Sequence, residues 1–349
     1  MRLLLIVLCL AVNAASVAAE VRSGYRIELP RDGGSHPEFN IEWWYVTGWL
    51  QDANGTQRGF QVTFFRHRNS GADDNPSKFS PTQILFAHAA LSDPADKKLL
   101  RGEHTARAGF GLAAAEQHAT NVFIDDWSLR AVGENFVTQV TAQDFELALT
   151  LRATQPAVLQ GDRGFSQKGP DPANASHYYS LPQLAVQGSI AIRGAKLAVT
   201  GQAWFDHEWS NAYVDPQSVG WDWIGINLRN GDALMAFRMR DAQGRQRWAG
   251  ATLRSGGKTQ SFTPEQIQWT PLQQWRSPRT GVQYPIAWRV QVGQLNLVLR
   301  PLMADQENDA RGSVGQLYWE GAVQAQDGAG ALIGRGYLEL TGYGEPARF

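Results

Sequence analysis

The stretch HPEFNIEWWYVTGWL, His36 to Leu50, holds three tryptophans, a tyrosine and two acids within fifteen residues. In an extended chain successive side chains point to opposite faces. Glu42, Trp44 and Val46 therefore share one side, and Trp43, Tyr45 and Thr47 the other. Aromatic and β-branched residues fit such a pleated surface. The stretch reads as a barrel strand with aromatic side chains on both faces, only one of which can line a given cavity.

The same period recurs along the chain. Phe60, Val62 and Phe64 alternate with Gln61 and Thr63, and Leu295, Leu297 and Leu299 alternate with smaller or polar neighbours. Asn54-Gly55, Asn230-Gly231 and Asp327-Gly328 supply residues that tolerate the positive φ of hairpin turns. Only FGLAAAEQH, 110–118, has a local helical pattern, and no βαβ alternation is present, so an all-β antiparallel fold is expected. An internal echo refines this. EWWYVTGWLQDANGTQRGFQVTFFR from Glu42 and WDWIGINLRNGDALMAFRMRD from Trp221 share paired aromatics, a glycine, an Asn-Gly turn and a strand ending in Arg. An offset of about 180 residues predicts two similar β domains, with closure into barrels as the natural way to remove sheet edges. Their join is expected in the Gly/Pro-rich run 161–188, dividing the chain into 20–185 and 186–349.

Residues 1–19 read as a signal peptide. Arg2 precedes an apolar run, Leu3 to Val12, and small residues lead to Glu20. The run is shorter than the roughly 20 residues that span a bilayer, and no later segment is long and apolar enough to try. The expectation is an exported protein, periplasmic or extracellular. Cys9, the single cysteine, falls in that segment, so the remaining chain has no disulfide or thiol nucleophile. With 32 Lys+Arg against 33 Asp+Glu and no basic run, nucleic acid is not an expected partner.

Familiar catalytic motifs fail on context. GFSQKG, 164–169, has the wrong spacing for a nucleophile elbow, and GFGLAA, 109–114, follows a polar stretch rather than a strand. The seven histidines are scattered, so neither a metal centre nor a cofactor is expected. What survives is GQAWFDHEWSNAY, 201–213, followed by GWDWIGINL, 220–228. On an extended strand Asp206 and Glu208 share a side with Trp204, and His207 shares the other with Phe205 and Trp209. A carboxyl among tryptophans must be paired, hydrogen-bonded or protonated. Arg66 and Arg238 are the candidate structural partners, and a raised-pKa acid is the functional alternative.

HPEFNIEWWYVTGWL, GFSQKG, SHYYS, GQAWFDHEWS and GWDWIGINL together resemble the AttH/CrtC family, which includes carotenoid hydratases and secreted hydrolases. The resemblance spans the chain after residue 19 and implies two tandem lipocalin-like antiparallel β-barrel domains with an apolar pocket. The hydratase branch carries D-H-N-W, so Glu208 departs from it and follows the D-H-E-W form of the secreted branch. Two functions stay open. One is hydration or hydrolysis of a lipid-like or isoprenoid molecule by Asp206, His207 and Glu42. Trp43, Trp44, Tyr45, Tyr178, Trp204, Glu208, Trp209, Trp221 and Trp223 would then contact the ligand. Protonated Asp206 or Glu42 would donate to an alkene, His207 would activate water, and Tyr45 or Tyr178 would donate to an oxyanion. The other is a non-catalytic lipocalin-like binding or delivery protein serving an envelope ABC transporter.

Overall fold

The computed structural model describes residues 19–347 apart from positions 73, 74, 76, 78 and 213. The expected signal peptide, with Cys9, lies outside the described residues save for Ala19. Among the described residues the only helical elements are 3-10 turns, and no helix is long and apolar enough to cross a membrane.

A first sheet of 13 strands comprises β1 (Ile41–Asp52), β2 (Gln57–Arg68), β3 (Gln83–Asp93), β4 (Lys98–Arg107), β5 (Ala113–Ala115), β6 (Asn121–Ile124), β7 (Trp127–Val132), β8 (Asn135–Thr141), β9 (Phe145–Arg152), β10 (Val158–Leu159), β11 (Phe165–Gln167), β12 (Ala175–Ile192) and β13 (Ala195–Ala212). A second sheet of 10 strands comprises β14 (Gly220–Leu228), β15 (Ala233–Arg240), β16 (Gln246–Ser255), β17 (Lys258–Phe262), β18 (Ile267–Arg276), β19 (Gln283–Val292), β20 (Leu295–Pro301), β21 (Glu307–Ala310), β22 (Gln316–Gln326) and β23 (Leu332–Thr341). In each sheet the chain meanders outward and its last strand returns to pair antiparallel with its first, β13 with β1 and β23 with β14. The first ring is nearly closed, because β3 and β4 approach β6 across the remaining seam. Two lipocalin-like antiparallel barrels result.

The echo read in the sequence is a repeat of register. Glu42 lies opposite Arg66 and Asp222 opposite Arg238 on the opening hairpins, while on the closing pairs Trp43 faces Glu208 and Trp223 faces Glu339. Two expectations are corrected. The domain boundary does not fall at 185, because β12 and β13 must both stay in the first sheet for β13 to close the ring on β1. The chain crosses between Ala212 and Gly220. The helical pattern at 110–118 is also overruled: Phe110, Gly111 and His118 have positive φ, and Ala113–Ala115 pairs with β6 as a strand.

Both barrel interiors are packed. Trp44, Val46, Phe60, Phe64, Phe205 and Trp209 belong to the first core, and Ile224, Trp288, Trp319 and Leu338 to the second. The other face of β1 packs against the second sheet, where Tyr45, Trp49, Trp204, Trp223 and Phe237 form a third cluster. Full burial of such side chains contributes roughly 1.5–3 kcal/mol each. The close approach of the two sheets depends on Gly59, where a Cβ would stand 2.5 Å from the Ala322 Cβ and 2.7 Å from the Tyr337 hydroxyl. Gly59→Val is accordingly expected to lose about 1–3 kcal/mol by overpacking, measured as a lower urea midpoint.

Candidate functional site

A cavity of about 330 Å³ lies between the two barrels rather than inside either one. The expectation of a pocket within a barrel is thereby corrected, since the interiors are filled with core side chains. Strand parity decides what lines the cavity. On the β1–β13 pair Trp43 faces Glu208 and Tyr45 faces Asp206, so all four share the surface turned toward the second barrel. Tyr178 joins them from β12, and Trp221, Trp223 and Phe237 close the cavity from β14 and β15.

Asp206 is buried and saturated with donors. Tyr178 Oη donates to its Oδ2 at 2.8 Å, and Trp204 Nε1, at 2.7 Å, and Ser180 Oγ donate to its Oδ1. Trp223 Nε1 donates in turn to Tyr178 Oη at 3.1 Å, tying the acid to the second barrel. Burial pushes the Asp206 carboxyl up to about 7, with the Glu208 charge adding to the rise against the three hydrogen bonds. The carboxyl is thus mostly protonated below pH 7 and ionises as pH rises through it. Beside it Glu208 is paired with Lys168 Nζ at 2.9 Å and accepts from Ser176 Oγ. Lys168 lies over the rings of Tyr178 and Phe237, 4.8 and 4.4 Å from their centroids.

The second barrel contributes its own carboxyl pair. Glu320 and Glu339 are directly opposed on β22 and β23, and both line the cavity. Trp221 Nε1 donates to Glu339 Oε2 at 3.0 Å. Burial raises both carboxyls, and the negative charge of Glu339 raises Glu320 further. Near the other end His88 is bound by Tyr318 Oη at 2.8 Å and Ser313 Oγ at 2.9 Å, and burial lowers it to about 4. It is a neutral wall residue.

Glu42 and His207, grouped with Asp206 as catalytic candidates, are on the opposite face of the same two strands. Trp44 and Trp209 go with them into the first core instead of contacting the cavity. There Glu42 Oε1 accepts from His36 Nδ1 at 2.7 Å and His207 Nε2 at 2.9 Å, and its Oε2 accepts from the His36 backbone N–H and from Arg66 Nε, each at 2.8 Å. Although desolvation opposes it, these partners hold the Glu42 carboxyl well below the usual carboxylate range. His36 stacks on Trp209, with centroids 3.8 Å apart, and its bonds to Asp32 and Glu42 outweigh desolvation to lift it to about 9. The ligand atoms of His36, Glu42 and His207 lie within 4.8 Å of one another, a spacing that could hold a metal ion. Arg66 and a protonated His36 already neutralise Glu42, so the cluster is complete as a hydrogen-bonded ion network. The partner read from the sequence, Arg66, is the one found, and Arg238 pairs with Asp222 at 2.5 Å in the repeat.

Of the expected contacts, Trp43, Tyr45, Tyr178, Glu208, Trp221 and Trp223 line the cavity, and Trp204 sits behind Asp206 as its donor. Lys168, Glu320 and Glu339 were missed. Lys168 belongs to the very GFSQKG run discarded as a nucleophile elbow. Glu339 had a readable signal: it stands to Trp223 as Glu208 stands to Trp43, had the echo been extended to the closing strands.

Comparison with known proteins follows the same lines. The AttH-like family profile matches residues 20–343. The chain belongs to the AttH-like family. A crystal structure of a candidate AttH from Nitrosomonas europaea is 47% identical, with a TM-score of 0.88 over 93% of this chain and 99% of that one. Kievitone hydratase from Nectria haematococca superposes with a TM-score of 0.69 at 16% identity, covering 92% and 94% of the two chains. CghA, solved with Sch210972, gives 0.52 at 12% identity over 89% and 90%. At those identities the last two likenesses show a shared fold. No curated protein matches the chain by sequence.

Proposed function

We propose that this AttH-like protein is an exported hydratase for an apolar, unsaturated, lipid-like or isoprenoid molecule held between its barrels. The observation that carries the reading is Asp206, a buried carboxyl raised to about 7 in a cavity walled by Trp43, Trp221 and Trp223. Adding water to an alkene needs a proton donor, a surface tolerant of positive charge and a positioned water. Asp206 gives its proton to one alkene carbon. The cationic charge that develops at the neighbouring carbon faces tryptophan rings, whose quadrupoles favour it. Water, oriented by Glu208, bonds to that carbon and returns a proton to the Asp206 carboxylate, which restores the acid. The kinship in fold with kievitone hydratase is consistent with this chemistry, although it extends to architecture alone.

The test is mass spectrometry of ligands co-purified from the envelope fraction, followed by incubation of the stripped protein with that pool in heavy-oxygen water. A product one water heavier and carrying the label is expected. Cleaved products would replace hydration with hydrolysis. A ligand recovered unchanged would favour the delivery protein, with an envelope ABC transporter as its partner.

A further inference from the structure

The register repeat between the barrels leaves one position unmatched. In the first barrel Glu208, opposite Trp43, has an ammonium of its own: Lys168 Nζ lies 2.9 Å from the carboxylate, 2.9 Å from Ser166 Oγ and over the rings of Tyr178 and Phe237. In the second barrel Glu339 holds the same place opposite Trp223, with Glu320 directly opposed to it across β22 and β23. Among the described residues no lysine, arginine or histidine is paired with either acid. Trp221 Nε1 donates to Glu339 and the Tyr45 hydroxyl to Glu320, so both have neutral donors alone. A third acceptor faces the same space. Gln61 is buried and lines the cavity, its Nε2 donates to Thr63 Oγ1, and its Oε1 has no hydrogen-bond partner. A buried acceptor left unpaired is destabilising, and a donor on a ligand removes that deficit. We propose that Glu320, Glu339 and Gln61 seat the protonated amino group of an apolar amine, which makes the ligand a cationic amphiphile. This assignment rests on the reading of the cavity as a ligand site and names the class of molecule it takes.

The strands bring the three acceptors together. Where the sheets touch, Gly59 of β2 meets Ala322 of β22 and Tyr337 of β23. Two residues away on the same face of each strand stand Gln61, Glu320 and Glu339, so all three border the cavity beside that contact. Two carboxylates directly opposed repel each other, and the pair keeps a proton while no cation is present. A donor alone does not select an amine, since an alcohol also offers one. Charge decides. An ammonium matches three acceptors with three N–H donors and supplies the counter-charge that Lys168 gives Glu208, while the faces of Trp43, Trp221 and Trp223 favour a cation. A carbonyl would bring only acceptors, and a carboxylate would add to the negative charge. Tyr45 donates to Glu320 and faces Asp206 across the β1–β13 pair. The seat and the acid therefore share one wall, and the apolar chain of the ligand lies between them.

Geranylamine, geraniol, geranic acid and the hydrocarbon of the same skeleton provide the probes, titrated against the intrinsic tryptophan fluorescence of the full chain. The amine is expected to bind about tenfold or more tighter than the alcohol and the hydrocarbon, with the acid weakest. The double variant Glu320→Gln with Glu339→Gln keeps the shape of the pair and removes its charge. It should lose the amine preference while keeping the hydrocarbon affinity, which itself reports an intact fold. Gln61→Leu, which leaves both acids in place, should weaken the amine and not the hydrocarbon. An amine preference that survives the double variant, equal binding of amine and hydrocarbon, or tightest binding of the alcohol or the acid would overturn the seat and leave the cavity as a ligand site. If none of the four probes binds, the seat and the proposed function both fall.

Discussion

Replacing Glu42 by Gln is expected to cost about 3–5 kcal/mol of folding stability, read as a lower urea midpoint at an unchanged slope. The magnitude follows from what the substitution strands. Glu42 is fully buried and neutralises Arg66 on one oxygen and His36 on the other, while His207 adds a third side-chain donor. A neutral amide leaves the Arg66 guanidinium, itself buried, without a counter-charge. The pH dependence has two limbs. The folded-state pKa of Glu42 is depressed, so its contribution is present above its ordinary value of 4.5 and is lost as pH falls below that. His36 is raised to about 9, so its contribution is fully present below 6.5 and is lost as pH climbs through 9. The stability gap between wild type and Glu42→Gln should be widest between pH 4.5 and 6.5 and should narrow on either side. Denaturation series at acid, intermediate and alkaline pH check both limbs.

How much of this was legible in the sequence depends on the kind of contact. Alternation along His36 to Leu50 correctly split Glu42 and Trp44 from Trp43 and Tyr45, because a strand's period is a local property of its backbone. Which half faces a cavity is not local. Both faces of β1 are aromatic, and only the second barrel, placed by contacts more than a hundred residues away, decides that Trp43 and Tyr45 line the space. The same limit explains His207. Alternation placed His207 on the opposite face from Asp206, but that this face meets the Glu42 carboxylate of β1 depends on the pairing of β13 with β1. The boundary at 185 erred because glycine and proline mark turns, whereas ring closure by β13 depends on pairing with β1. Lys168 escaped notice for a related reason: nothing in GFSQKG specifies that its side chain reaches Glu208 on β13.

Replacing Asp206 by Asn is expected to lower hydration of the co-purified substrate by about 10²–10⁴-fold, the range that general acid catalysis supplies, while ligand affinity changes little. Asn keeps the shape and an acceptor for the Ser180 and Trp204 donors but has no proton to give. The wild-type rate should be level below pH 7 and fall about tenfold per pH unit above it, as the carboxyl raised to about 7 ionises. The residual rate of the variant should lack that break. Stability should move the other way. A carboxyl whose folded pKa is raised contributes fully below its unfolded value of 3.8 and loses that contribution as pH rises through 7, so wild type weakens across that interval and Asp206→Asn does not. The variant is thus expected to gain on wild type between pH 5 and 8 in urea midpoint while losing turnover. His207→Ala provides the opposite signature, because its Nε2 serves Glu42 on the far side of the sheet: stability falls, and the rate per folded molecule holds. A rate loss for His207→Ala equal to that of Asp206→Asn would mean that proton transfer runs through the Glu42 network, and the cavity acid would have to be reassigned.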